Sequence, residues 1–170
     1  MRRKMLAALS VALTLASAGN VAQAELTHLF VSNANIVSLS QFLENYPLDQ
    51  FAVVVRGEAI EWEAKSKDVV DIVYPCLFKP IPSDSIKYSS ILLAQFVIGS
   101  AAFQIANPSE KGKLMPQQLA GTKSMLKAYE SLIALDPSAH IAHLDDLAAH
   151  EANGTLESAI KPLLVPKCDK

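Results

Sequence analysis

The chain has 170 residues, fifteen Lys and Arg against seventeen Asp and Glu, and a formal charge of −2 with neutral histidines. An acidic balance without a Lys/Arg cluster argues against nucleic acid or an anionic membrane surface as the main partner, because both reward concentrated positive charge. The length suits one domain able to bury its own core.

The first element in chain order is a leader. Arg2, Arg3 and Lys4 precede an apolar stretch through Ala16, and the small residues Ala22 and Ala24 bracket Gln23, the order in which an export signal is read. Residues 1–24 are therefore expected to be a signal peptide cleaved after Ala24, which places the protein in the periplasm or outside the cell. The apolar stretch is too short to span a bilayer comfortably, so no membrane anchor is expected after cleavage. The mature chain, residues 25–170, would be a single helical domain carrying twelve basic and seventeen acidic side chains, a charge of −5.

Export also bears on the two cysteines, Cys76 and Cys168. In an oxidising compartment two thiols in one chain are expected to pair, closing a loop that disfavours the unfolded chain by about 4 to 5 kcal/mol. That disulfide would tie the C-terminal tail to the middle of the domain.

Leu26 to Val31 is either a short edge strand or an irregular lead-in, and Ser32 to Asn35 is turn-like. A short helix is expected from Ser38, as cap, to Asn45, with Pro47 beyond it. Phe51, Val55, Ala59, Trp62, Val69 and Val73 recur at mostly helical spacing from Asp49, which predicts a long helix ending before Pro75. The β-branched run after Phe51 makes a local strand the alternative. Lys79 to Pro82 is a stiff connector with two prolines.

A largely apolar helix is expected from about Asp84 to Ala106, interrupted by Gln95, Gly99, Ser100 and Gln104 and ended by Asn107-Pro108. Its two amides and limited apolar length favour a central helix surrounded by neighbours over a membrane span. After a polar loop, helices follow over 116–135 and 138–153, and Gly154 separates the second from a last short helix at 155–161. The expected fold is an all-α bundle of five or six helices with one disulfide.

Within this bundle Ala128-Tyr129, Leu135-Asp136-Pro137, Ala142, Ala149, Gly154, Leu156 and Ala159-Ile160 fall in one ungapped register. That stretch, 128–160, resembles a tetratricopeptide helical hairpin, which implies small residues where two helices cross and a tight turn at Gly154. His143, Asp146-Leu147 and Pro162 depart from the repeat. The leader, the compact size, Pro116-Gln117-Gln118-Leu119 opening a helix, Pro137 at a turn and the terminal Pro166-Lys167-Cys168 are similar to the exported immunity proteins that neutralise type VI secretion amidase effectors. That likeness implies a protein partner.

Chemistry is thinly signalled. His140, His143, Asp146 and His150 could in part share a helical face and supply metal ligands, but His143 and His150 are about 10 Å apart along a straight helix, so the expected role is solvated surface. Ser124 to Lys127 and Ser158 to Lys161 both fit Ser-x-x-Lys without its companion elements, and are read as ordinary helix residues. Glu58, Glu61, Glu63, Asp68 and Asp71 could contain an acid and base pair beside Trp62, although Trp62 is expected as a core anchor and the glutamates as a solvated face. No catalytic residue and no cofactor are assigned. The expected function is binding of another protein, as an immunity or adaptor protein; the alternatives are a small envelope enzyme with an unrecognised site and a metal carrier using His140, His143 and His150.

Overall fold

The structure is a computed structural model that describes residues 30–166. The expected leader and its cleavage site lie outside the described residues. Within them the protein is all-α, with seven α-helices: α1 (Ile36–Asn45), α2 (Ala52–Lys65), α3 (Pro75–Phe78), α4 (Ser89–Ala106), α5 (Leu114–Leu135), α6 (Ala142–Ala152) and α7 (Leu156–Ile160).

The centre is α4. It has no single apolar stripe because it is covered on two sides. Leu92 and Phe96 enter one apolar cluster with Leu77, Phe78, Met125, Tyr129 and Leu144, while Ile98 and Ala102 enter another with Ile36, Leu43, Ala52 and Ala59. Phe78 meets Phe96 edge to face at 4.6 Å between ring centres, an arrangement the ring quadrupoles favour. By length and composition α4 is the one helix among the described residues that could cross a bilayer. More than half of it is nevertheless buried against protein, and Gln95, Ser100 and Gln104 all bond within the fold.

Two glycines let α4 and α5 meet. A Cβ on Gly99 would lie 2.2 Å from the Ser124 Cβ, and one on Gly121 would lie 2.8 Å from the Phe96 ring and carbonyl oxygen. The helices therefore touch backbone to side chain. At the far end of α5 the Tyr129 hydroxyl accepts the Ile141 N–H at 2.7 Å and donates to Asp145 at 2.6 Å, docking the start of α6. Burial, then the hydrogen bond to the Asp145 carboxylate, pushes this phenol up to about 12. Tyr129→Phe is expected to leave the Ile141 N–H buried without a partner and to cost about 1 to 2 kcal/mol, read from urea unfolding.

Several expectations are corrected. Seven helices replace five or six; of the segment Leu26 to Val31, read as an edge strand or an irregular lead-in, only Phe30 and Val31 are among the described residues, and both are irregular. Ser38 is no cap: it lies inside α1, and its hydroxyl donates to the Asn35 carbonyl at 2.9 Å. The long helix from Asp49 to Pro75 stops at Lys65, because Ser66 turns extended and the β-branched run after it is captured by side chains of α4 and α5. Tyr88, with φ of 60°, starts α4 five residues later than the pattern near Asp84 suggests.

The Cys76–Cys168 disulfide falls partly outside the described residues, and Cys76 is not a free thiol. No disulfide joins two of the described residues; Cys168 lies outside them, and the Cys76 Sγ approaches the Val165 carbonyl oxygen at 3.5 Å. Apolar packing also seats the C-terminal segment on the bundle, with Leu156 and Ile160 buried in the same cluster as Leu77 and Phe78.

Candidate functional site

The histidines do not converge. His140 Nδ1 faces Asp145 at 3.0 Å, and His150 Nδ1 faces the Thr155 hydroxyl at 2.8 Å. His143, expected on the solvated face, is half buried with Nε2 2.8 Å from the Leu77 carbonyl oxygen, so its ring N–H joins α6 to α3. Asp146 lies 3.9 Å from His150, its neighbour one turn along. Among the described residues no group of three His, Cys, Asp or Glu side chains is placed to hold a metal ion.

The two Ser-x-x-Lys stretches part company. Ser158 is exposed on the five-residue α7. Ser124 is buried where α1, α4 and α5 meet: it donates to Glu44 at 2.6 Å and accepts from the Gln95 amide at 2.8 Å. Gln95 also reaches the Ser40 hydroxyl at 3.2 Å, and Lys127 meets the other Glu44 oxygen at 3.3 Å. Ser124 and Lys127 thus converge on Glu44, which the sequence reading did not single out. Its only local signal is the spacing of Ser40 and Glu44, four apart on one face of α1; the partner lies eighty residues away. A recess of about 290 Å³ opens beside the cluster. Every polar atom named here is partnered, so the arrangement fixes the register of three helices and leaves the serine bonded on both sides.

The acidic group around Trp62 splits in two. Trp62, Glu58, Glu61, Lys65 and Asp68 line an open groove of about 400 Å³ along α2. Trp62 is only half buried, so it is both a wall of the groove and part of the packing against the α1–α2–α4 cluster. Glu61 is paired with Lys65, which lowers its pKa, and Asp68 accepts from the Asn33 amide at 2.8 Å. Asp71 points elsewhere, accepting from Ser100 on α4. Burial, opposed by that hydrogen bond and reinforced by Glu63, pushes its carboxyl up to about 7. The carboxylates of the groove and the perturbed acid therefore do not face one another across one cleft.

The surface feature that the sequence reading misplaced is the α1–α2 turn. Helical spacing alone places Phe51 in a buried stripe, yet Tyr46, Leu48, Phe51, Val53 and Val54 are all exposed, from 42% at Leu48 and Phe51 to 74% at Val53. Ala52, Val55 and Ala59 take the buried side of α2. The turn is braced from both ends. The Asp49 carboxylate accepts the Phe51 N–H at 2.8 Å, and the Arg56 guanidinium donates to the Pro47 carbonyl at 2.8 Å. The result is an apolar shoulder, five large side chains within nine residues, held in a fixed shape. No family model, curated protein or solved structure matches this chain.

Proposed function

We propose that the protein is an exported helical module that works by binding another protein through the apolar shoulder of Tyr46, Leu48, Phe51, Val53 and Val54. The observation that carries this reading is the exposure of those side chains on a braced turn. Contiguous exposed apolar groups rimmed by polar residues are what protein partners bury, and a turn already held in shape loses little conformational freedom on docking. Export rests on the leader read in residues 1–24, and the role of an immunity or adaptor protein toward an envelope protein is the form of this reading that the similarity to amidase immunity proteins implies.

The test is capture of partners by the full tagged chain in its native host, compared with Val53→Asp. Val53 is the second residue of α2, where a carboxylate favours the helix by about 0.3 to 1 kcal/mol, so the variant is expected to stay folded. A stoichiometric partner lost on Val53→Asp, with an unchanged helical spectrum, supports the shoulder as the contact. A partner that the variant retains, or no partner at any salt concentration, refutes it.

A further inference from the structure

After α2 ends at Lys65, residues 69–74 run without helix, turn or bend, and Tyr74 is in the β region. Five of the six, Val69, Val70, Ile72, Val73 and Tyr74, are β-branched or aromatic, the types that fit a strand. One edge of this run is already satisfied. The Gln104 side chain accepts the Val70 N–H and donates to the Val70 carbonyl, both at 3.1 Å, and the Gln118 amide donates to the Ile72 carbonyl at 2.6 Å. A glutamine thus occupies the place a neighbouring strand would take.

Backbone groups of an extended chain alternate in direction, so if residues 70 and 72 turn inward, residues 71 and 73 turn outward. Among the described residues the backbone N–H and C=O of Asp71 and Val73 have no hydrogen-bond partner. Val70, Ile72 and Val73 are 43 to 45% exposed beside that open edge. A lone extended run of this kind calls for another extended backbone, since unpaired edge donors and acceptors are the template on which strands add.

Charge narrows the choice of occupant. The start of the run carries Lys67 and Lys111, the latter bonded to the Lys67 carbonyl, and neither ammonium has a carboxylate partner among the described residues; Asp68 offsets one of the two. An antiparallel second copy would bring the residues after Tyr74, Pro75 and Cys76, to that end, and neither carries a charge. A parallel copy would bring Lys67 against Lys67.

We propose that the outer edge of Val69–Tyr74 pairs with an extended, β-branched segment of the bound partner, with a carboxylate of that segment seated beside Lys67 and Lys111. This rests on the protein-binding reading above and adds the kind of segment recognised. It also accounts for apolar residues left exposed on an extended run that the bundle pairs along one edge only.

The experiment uses the full chain and a capped hexapeptide of alternating valine and threonine ending in glutamate, titrated by NMR. The expected result is slowed hydrogen exchange at the Asp71 and Val73 amides. Val73→Pro removes the outward donor without touching the bonds to Val70 and Ile72, and is expected to weaken the peptide about ten-fold or more, the effect of one lost hydrogen bond and an added ring at the edge. Val73→Thr keeps the donor and should bind within about three-fold of the parent. No protection at millimolar peptide, or equal binding by Val73→Pro, overturns the proposal. So does sedimentation showing that the chain alone dimerises and that Val73→Pro makes it monomeric, since a second copy would then cover the edge. If Val53→Asp abolishes partner capture while Val73→Pro leaves it intact, the shoulder stands and the edge falls.

Discussion

Gly99→Ala is expected to destabilise the protein by about 3 kcal/mol or more, the upper range for overpacking, although it adds one methyl group and improves intrinsic helix propensity. The new Cβ would lie 2.2 Å from the Ser124 Cβ and 2.3 Å from its hydroxyl oxygen, and 3.7 Å from the Ser124 Cα. Rotating the serine moves the hydroxyl but leaves its Cβ in place. Relief therefore requires α4 and α5 to separate, which opens the packing of Phe96 against Gly121 in the same crossing. The check is a double-mutant cycle by urea unfolding. Ser124→Gly alone loses the hydroxyl's bonds to Glu44 and Gln95 and places a glycine inside a helix, so it also destabilises. In that background the alanine at 99 meets only backbone, and its cost should fall to within about 1 kcal/mol of zero, leaving a large coupling between the sites. Additive losses would show that the two helices are not in contact there.

The second large effect is a pH-dependent one at Asp71. Its carboxyl is held up at about 7 by burial, with Glu63 raising it further against the lowering hydrogen bond from Ser100. A carboxyl whose folded value lies above its unfolded one binds more protons in the native state between the two, so stability falls as pH rises through that window and levels off above it. The window here runs from about 4, the ordinary value for aspartate, to about 7. Asp71→Asn removes the charge while keeping an acceptor for Ser100. It should be near neutral at pH 4, and stabilising by on the order of 2 to 3 kcal/mol at pH 8.5. Melting curves across pH 4 to 9 decide it. The same gain at both ends would mean that the asparagine simply packs better, and a loss at high pH would mean that Asp71 is stabilised by ionising.

The contacts of Gly99 with Ser124 and of Asp71 with Ser100 join residues far apart in the chain, where local sequence carries no signal. The ends of α4 and α5 and the break before α7 were legible because they are written locally: Asn107-Pro108 ends one helix, Leu135-Asp136-Pro137 another, and Gly154, with φ of 69°, separates α6 from α7. The central position of α4 was also legible, since an apolar helix with no polar face has to be covered on all sides. The break after Lys65 was not. Val69 and Val73 continue the apolar spacing of α2, and spacing cannot register that Gln104 and Gln118 wait 34 and 46 residues downstream to take the backbone hydrogen bonds of an extended chain. The candidate binding surface was half visible. The cluster of Phe51, Val53, Val54 and Val55 stood out as apolar, but apolar character alone does not say which members face out.

By itself the sequence determined that this is an all-α protein built around one nearly unbroken apolar helix, because turn residues, prolines and hydrophobic content act within a few residues of where they stand. Tertiary structure alone decided that Gln95, Ser100 and Gln104 are anchors inside the fold, that Glu44 joins Ser124 and Lys127, and that Tyr46 to Val54 form an exposed shoulder beside a bundle already filled. Those outcomes depend on which side of each helix meets a neighbour, and that is set by the packing of segments 29 to 80 residues apart, for which the linear order of residues carries no local sign.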